Sequence, residues 1–296
     1  MDRLSGLDAV FLALAAGFMF GALGPALRHG LTAVRDAELG AFHSVAIGLL
    51  VAAVVAGAAG QLGDLGPGEV WPFIAIGIFV PGISQVLFVR AIRDIGASRT
   101  IIITGAAPLL AGLAAILFLD EPLRLGLLLG ALLVVAGAVT LAWEPTRPAG
   151  WQPIGLLWAF SGVLLFAVRD ATARWVIGER DVPGMAAAVY LFFGATVAMV
   201  AYLLATRRGQ HPLRRAAQTV RPFVVAGVLF GAAYCLLFQA FERGKVTVVS
   251  PLNATYALWG VILSALVLRK TEAVTPRVGL AGALIVAGAA AVAATR

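Results

Sequence analysis

Ten apolar runs, each about as long as the roughly 20 residues a helix needs to cross the hydrocarbon core of a bilayer, follow one another along this chain with short breaks of charge, proline or glycine. They lie at about Leu7–Arg28, Glu38–Ala58, Val70–Arg90, Arg99–Leu119, Arg124–Trp143, Pro153–Trp175, Pro183–Ala205, Pro222–Phe241, Val246–Leu268 and Pro276–Ala294. The runs lack the polar–apolar alternation of a transmembrane strand, so they predict helices. Trp71, Trp143, Trp151 and Trp175 fall near run ends, where indole rings favour the headgroup region. The longest connection, TRRGQHPLRRAAQTVR, leaves no room for a separate soluble domain. The first run is too long for the core of a cleaved signal peptide and is expected to stay as a membrane helix.

Composition excludes other classes. Of 296 residues, 61 % are hydrophobic and 12 % charged, whereas a soluble domain is about 25 % charged. The net charge of +7 is spread singly between apolar runs rather than gathered in a stripe, which argues against a nucleic-acid partner. The partners expected are the lipid bilayer and a small-molecule substrate. One cysteine, Cys235, inside an apolar run, and three histidines supply no disulfide framework and no metal cluster. No GxxxxGK phosphate loop is present, so no nucleotide or other cofactor is expected. An intramembrane enzyme would need a buried nucleophile with its base or a metal cluster, and the chain is read as a non-enzyme.

The chain repeats itself. EPLRLGLLLGALLVVAGAV from Glu121 aligns with EAVTPRVGLAGALIVAGAA from Glu272 at an offset of 151, which pairs Gly137 with Gly288. AIRDIGASRTIII from Ala91 aligns with AFERGKVTVVSPL from Ala240 at an offset of 149. Five spans per copy is an odd number, so tandem copies enter the membrane from opposite sides. The fold expected is an all-α membrane protein of ten transmembrane helices in two inverted five-helix repeats, 1–146 and 147–296, the arrangement from which alternating access is built.

The stretch AIRDIGASRTIIITGAAPLLAGLAAILFLDEPL with LGALLVVAGAV, and its second copy AFERGKVTVVSPLNATYALWGVILSALVLRKTEAVTP with LAGALIVAGAA, resemble the EamA family of the drug/metabolite transporter superfamily. The two copies cover nearly the whole chain. The resemblance implies ten helices around a cavity between the halves, and carriers of amino acids, other metabolites or toxic compounds, often exporters. The second copy departs from the pattern with Ala257 where the first has Pro108, and with a two-residue insertion near Lys270 and Thr271. The function expected is a secondary-active exporter of amino acids or related compounds in the cell inner (plasma) membrane. The alternatives are an uptake carrier or exchanger for another solute, such as a drug-like or carboxylate compound, and more remotely a non-transporting receptor. A cytoplasmic amino terminus would put 8 of the 22 Lys and Arg inside and 14 outside, against the positive-inside rule, and the orientation stays open.

Polar residues within the spans are the candidate site, because an unpaired polar group in hydrocarbon is costly and faces protein or a wet cavity. The offset of 149 pairs Gln85 with Tyr234 and Thr104 with Asn253, two columns polar in both copies. Gln85 and Asn253 either line the cavity or glue helices together, and Tyr234 either lines it or takes one of the many half-buried places a tyrosine tolerates. Ser250, Asn253 and Ala257 share one helix face by their spacing. Pro251 beside Ser250 either opens that turn or sits in a first helical turn, where it costs little. Pro81–Gly82 in the third span and Gly24–Pro25 near the end of the first are expected bends.

FAVRDATARW, closing the sixth run, holds Arg169, Asp170 and Arg174. Asp170 and Arg174, four apart, share a face and can neutralise each other. Arg169 is rotated by about 100° from Asp170 and lies about 24 Å along the helix from Pro153. It either snorkels to water or faces the interior, paired with Glu242 or with a substrate carboxylate, which its planar fork fits. Proton coupling, if used, would fall to Asp170 or to His43, a turn inside the second span, where a neutral histidine near the interface is the plainer reading.

Overall fold

The computed structural model describes residues 3–63, 65–107, 128–130, 132, 133, 136, 137, 140, 150–180, 182–207, 212–244, 246–268 and 275–294. All regular elements among them are helical. Helix α1 (Arg3–Ala33) is followed after a three-residue break by α2 (Ala37–Ala58), whose N-cap Asp36 accepts a hydrogen bond from the Leu39 N–H at 3.1 Å. The third span comprises α3 (Pro67–Gly77), a π-helical segment (Ile78–Ile83) and α4 (Ser84–Ile95). Gly96, at φ 93°, turns the chain into α5 (Ala97–Thr104) with a positive dihedral that only glycine adopts freely.

The second repeat holds α6 (Ile154–Arg180), α7 (Gly184–Thr206), the short α8 (Pro212–Thr219) and α9 (Val224–Arg243). It closes with α10 (Val246–Asn253), α11 (Tyr256–Val267) and α12 (Pro276–Ala294). Among the described residues, five helical stretches are long and apolar enough to span a bilayer: 8–33, 37–58, 67–95, 184–206 and 221–243. Shorter apolar helices occupy 154–169, 256–267 and 276–288. The described residues between 128 and 140 are helical, as expected of the fifth span, whereas Glu121 and Glu272 lie outside the described residues.

Lipid supplies no hydrophobic drive between helices, so close packing and small residues hold them together. The contacts cross between repeats: α1 packs on α9 and α11, α2 on α7 and α9, α3 on α7, and α4 on α6. Glycines set the tightest crossings. A β-carbon on Gly77 would collide with the Leu191 carbonyl, and one on Gly194 with the Ile74 carbonyl, so α3 and α7 meet backbone to backbone. Phe11, Leu50, Val54, Phe79 and Val225 remain exposed, the outer face suited to lipid.

Several boundaries differ from the sequence reading. The sixth helix continues past Trp175 to Arg180, and the third span begins at Pro67 and ends at Ile95. The ninth run is two helices broken at Ala254–Thr255, and the long seventh connection contains α8. At the expected bend Pro81–Gly82, Val80 leaves helical geometry (φ −140°, ψ 111°), where proline removes a donor. Around the expected bend at Gly24–Pro25, α1 is continuous through Pro25. Gly24 admits the Ile101 side chain of α5.

Candidate functional site

Arg169 does not snorkel. Its side chain, on α6, is 6 % exposed, and its Nη1 donates to the Tyr234 hydroxyl on α9 at 2.6 Å. The guanidinium carbon lies 5.1 Å from the Tyr234 ring centroid and 5.4 Å from that of Phe166. Ring faces attract a cation most where water is excluded, so the aromatic surroundings help to keep this charge inside. Glu242 is not its partner: Glu242 Oε2 accepts from the Gly184 N–H at 2.8 Å and from Gln239 Nε2 at 2.9 Å, capping α7.

Tyr234 is fully buried, and its ring meets Phe20, Phe192, Phe230 and Phe238 edge to face at 5.5, 4.9, 5.1 and 5.6 Å. Phenylalanines hold the ring while the hydroxyl serves Arg169. Phe20 of α1 also reaches Tyr256 of α11 at 6.5 Å, and the Tyr256 hydroxyl donates to the Thr104 carbonyl at the end of α5. A continuous chain of contacts, Arg169–Tyr234–Phe20–Tyr256–Thr104, thus joins five helices from both repeats. Sequence reasoning picked out Arg169, Tyr234 and Thr104 but missed Phe20 and Tyr256. The spacing of Phe230, Tyr234 and Phe238, four apart, was an available signal for an aromatic helix face.

The Thr104–Asn253 column lies at two helix breaks. Helix α5 ends at Thr104 before a turn at Gly105–Ala106, and α10 ends at Asn253 before a turn at Ala254–Thr255, the same place in each repeat at the offset of 149. The breaks adjoin, for a β-carbon on Gly105 would lie 2.9 Å from that of Ala257. Thr104 Oγ1 donates to the Ile101 carbonyl at 2.9 Å. Asn253, 5 % exposed, has its Oδ1 without a hydrogen-bond partner among the described residues, and Ser250 Oγ on the same helix is in the same condition. Buried polar atoms are seldom left so.

The other candidates lie apart. Gln85 Nε2 donates to Ser44 Oγ at 3.0 Å, and Ser44 in turn to the Ala41 carbonyl, which joins α4 to α2. His43 is buried, stacked on Phe223 at 5.6 Å with its Nε2 3.1 Å from Thr219 Oγ1 of α8. Both side chains have structural partners. Asp170 lies on α6, but its side chain and that of Arg174 fall outside the described residues. Among the described residues no three His, Cys, Asp or Glu side chains form a group able to hold a metal ion.

A cluster of charges ties the start of α2 to the ends of α4 and α7. Arg207, after α7, binds Asp36 through Nη1–Oδ2 at 2.6 Å and Nη2–Oδ1 at 2.8 Å, and Glu38 at 3.2 Å; Glu38 also takes Arg90 of α4. Burial pushes the Asp36 carboxyl up, but the hydrogen bonds from Arg207 and from the Leu39 N–H outweigh it and hold it below the ordinary value of 3.8. The Asp36 hydrogen bond likewise raises Arg207.

Comparison with known proteins agrees with this architecture. A solved structure described only as "Crystal structure of protein" is similar over 96 % of this chain and 95 % of its own, at 23 % identity and a TM-score of 0.64, a likeness of fold. No curated protein matches the chain. The model of the EamA-like transporter family matches twice, over residues 7–143 and 153–294, once for each five-span repeat. With both family matches together covering nearly the whole chain, the chain belongs to the EamA-like transporter family, membrane transporters of the drug/metabolite transporter superfamily.

Proposed function

We propose that this transporter exports a small metabolite carrying a carboxylate, an amino acid or a related compound, across the inner membrane by alternating access. The observation that carries the reading is Arg169, buried between helices with its guanidinium held by Tyr234. A guanidinium kept dry is strong recognition for a carboxylate, because its parallel N–H donors match the two carboxylate oxygens. The Tyr234 hydroxyl positions the fork, Phe20 and Phe166 supply apolar walls, and Asn253 Oδ1 with Ser250 Oγ accept a hydrogen bond from another part of the solute. Thr104 completes the proposed lining from the first repeat. Coupling to a proton is assigned to Asp170, next to Arg169 in sequence, ahead of His43, whose ring is stacked and hydrogen-bonded.

Purified protein in liposomes, loaded with labelled amino acids and then with other carboxylates, tests the reading. Wild-type protein should show saturable flux that Arg169→Ala abolishes. Absence of flux over the whole panel, or Arg169→Ala flux at the wild-type rate, overturns it.

A further inference from the structure

Two sets of interactions at opposite ends of α2 and α7 are the same construction built in different chemistry. At one end, Asp36 and Glu38 at the start of α2 hold Arg90 near the end of α4 and Arg207 at the end of α7. At the other, the start of α7 is held by Glu242 near the end of α9 and by Gln61 just beyond the end of α2, with Gln239 of α9 bridging the two. There the Gly184 N–H donates to Glu242 Oε2 at 2.8 Å, the Met185 N–H to Gln61 Oε1 at 3.1 Å, and Gln61 Nε2 to Gln239 Oε1 at 3.2 Å. The repeat offset of 149 that pairs Gln85 with Tyr234 also pairs Arg90 with Gln239 and Arg93 with Glu242. The same three helix ends therefore meet at each face: the start of the second helix of a repeat, the end of the third, and the end of the other repeat's second helix. One knot is ionic. The other is made of amides, with one carboxylate that accepts from the Gly184 N–H and the Gln239 side-chain amide.

The 22 residues of α2 cover about 33 Å at 1.5 Å per residue, so the knots lie on opposite membrane faces. Both are tied in the same structure. Between them Phe192 of α7 rests on Gly48 of α2, where a β-carbon would come 2.8 Å from the ring. A gate of an alternating-access protein opens on one face as its repeat-related counterpart closes on the other. Symmetric fastening at both ends, with contact between, is the geometry of a strut.

We infer that α2 and α7, one from each repeat, form a single rigid body throughout the transport cycle, so that the units that move are not the two repeats as they follow in the sequence. The inference rests on the transport reading and deepens it by naming what stays still. It assigns Asp36, Glu38, Arg90 and Arg207 on one face, and Gln61, Gln239 and Glu242 on the other, as positioning residues.

The test joins the two helices covalently beside each knot without cutting it. In a Cys235→Ala background, Arg35→Cys with Thr206→Cys flanks the ionic knot, and Ala59→Cys with Met185→Cys flanks the amide knot. Each pair is closed by a flexible bifunctional thiol reagent in proteoliposomes. Cross-linking an element that moves stops turnover, so flux that stays within about twofold of the same variant uncross-linked supports a rigid pair, and loss of flux on cross-linking at either face overturns it. Spin labels at the same positions supply a readout that needs no flux: one narrow distance at each face, unchanged by added carboxylate solutes, supports the strut, and two distance populations at either face overturn it. A wild-type chain without flux would refute the transport reading alone, because the spin-label distances still decide whether the pair is rigid.

Discussion

Arg169 and Tyr234 lie 65 residues apart on α6 and α9 and meet at 2.6 Å in the buried interior. The contact joins a permanently charged fork to a phenol whose ring is wedged among phenylalanines. Tyr234→Phe keeps the ring packing and removes the acceptor. A hydrogen bond to a charged group contributes about 1.5–3 kcal/mol, so solute affinity should fall roughly tenfold to a hundredfold with little change in folded yield. Equilibrium binding to the purified variant checks this; wild-type affinity would remove Tyr234 from the site. Arg169→Lys keeps the charge but loses the planar fork and should bind no better than Tyr234→Phe.

The Asp36–Arg207 pair makes one region of the fold acid-sensitive. The Asp36 carboxyl in the folded protein is held below 3.8, the value expected of the unfolded chain. The stability it contributes is therefore fully present above about pH 4 and is lost as pH falls through the lowered folded value. Asp36→Asn should lower Tm at neutral pH and show a smaller further drop than wild type below about pH 4. Thermal melts of both proteins in detergent across that range measure it, and parallel curves would show that the pair contributes nothing.

Close backbone crossings give opposite results for two glycine substitutions. Gly77→Ala drives a methyl into the Leu191 backbone, and overpacking of that kind costs about 1–3 kcal/mol. Gly279, on α12, has nothing within 4 Å of its would-be β-carbon, so Gly279→Ala should be neutral or gain about 0.5–1 kcal/mol from helix propensity. Unfolding of each variant in a mixed-micelle denaturant series gives the two signs.

Asn253 offers a sharper separation of binding from packing. Its Oδ1 has no partner among the described residues, so Asn253→Ala removes no internal hydrogen bond of that atom and should leave Tm nearly unchanged while weakening solute binding by about tenfold. Tyr256→Phe should do the reverse in part, since it strips the Thr104 carbonyl of a donor and lowers stability by about 1–3 kcal/mol. Calorimetric binding read beside Tm separates them; an equal fall of both quantities in Asn253→Ala would make that residue structural.

Much of the fold was legible in the sequence because apolar run length is a direct consequence of bilayer thickness. What the runs conceal is a break inside a span: no charge or glycine pair interrupts Ser250–Ala257, and the stop at Asn253 is visible only once α10 and α11 are seen as separate helices. The site was legible in part. Arg169 and Tyr234 stood out as polar residues in apolar runs, yet their contact depends on which faces of α6 and α9 turn toward each other, and pairwise helix rotation leaves no trace in composition. Glu242 likewise read as a possible partner of Arg169, whereas the Gly184 N–H at the start of α7 takes that carboxylate.

The two broken spans have a consequence for stoichiometry. Where the second repeat carries Tyr256, which donates to the Thr104 carbonyl, the first carries Ala107 at the equivalent position, 149 residues earlier. Alanine has no hydroxyl to return the favour to Asn253. A chain with identical breaks would present two half-sites on its pseudo-axis and could load two solutes; in this one the first break is satisfied from within, and Asn253 Oδ1 at the second has no partner among the described residues. Occupancy should saturate at one solute per polypeptide, bound off the axis and nearer the second repeat.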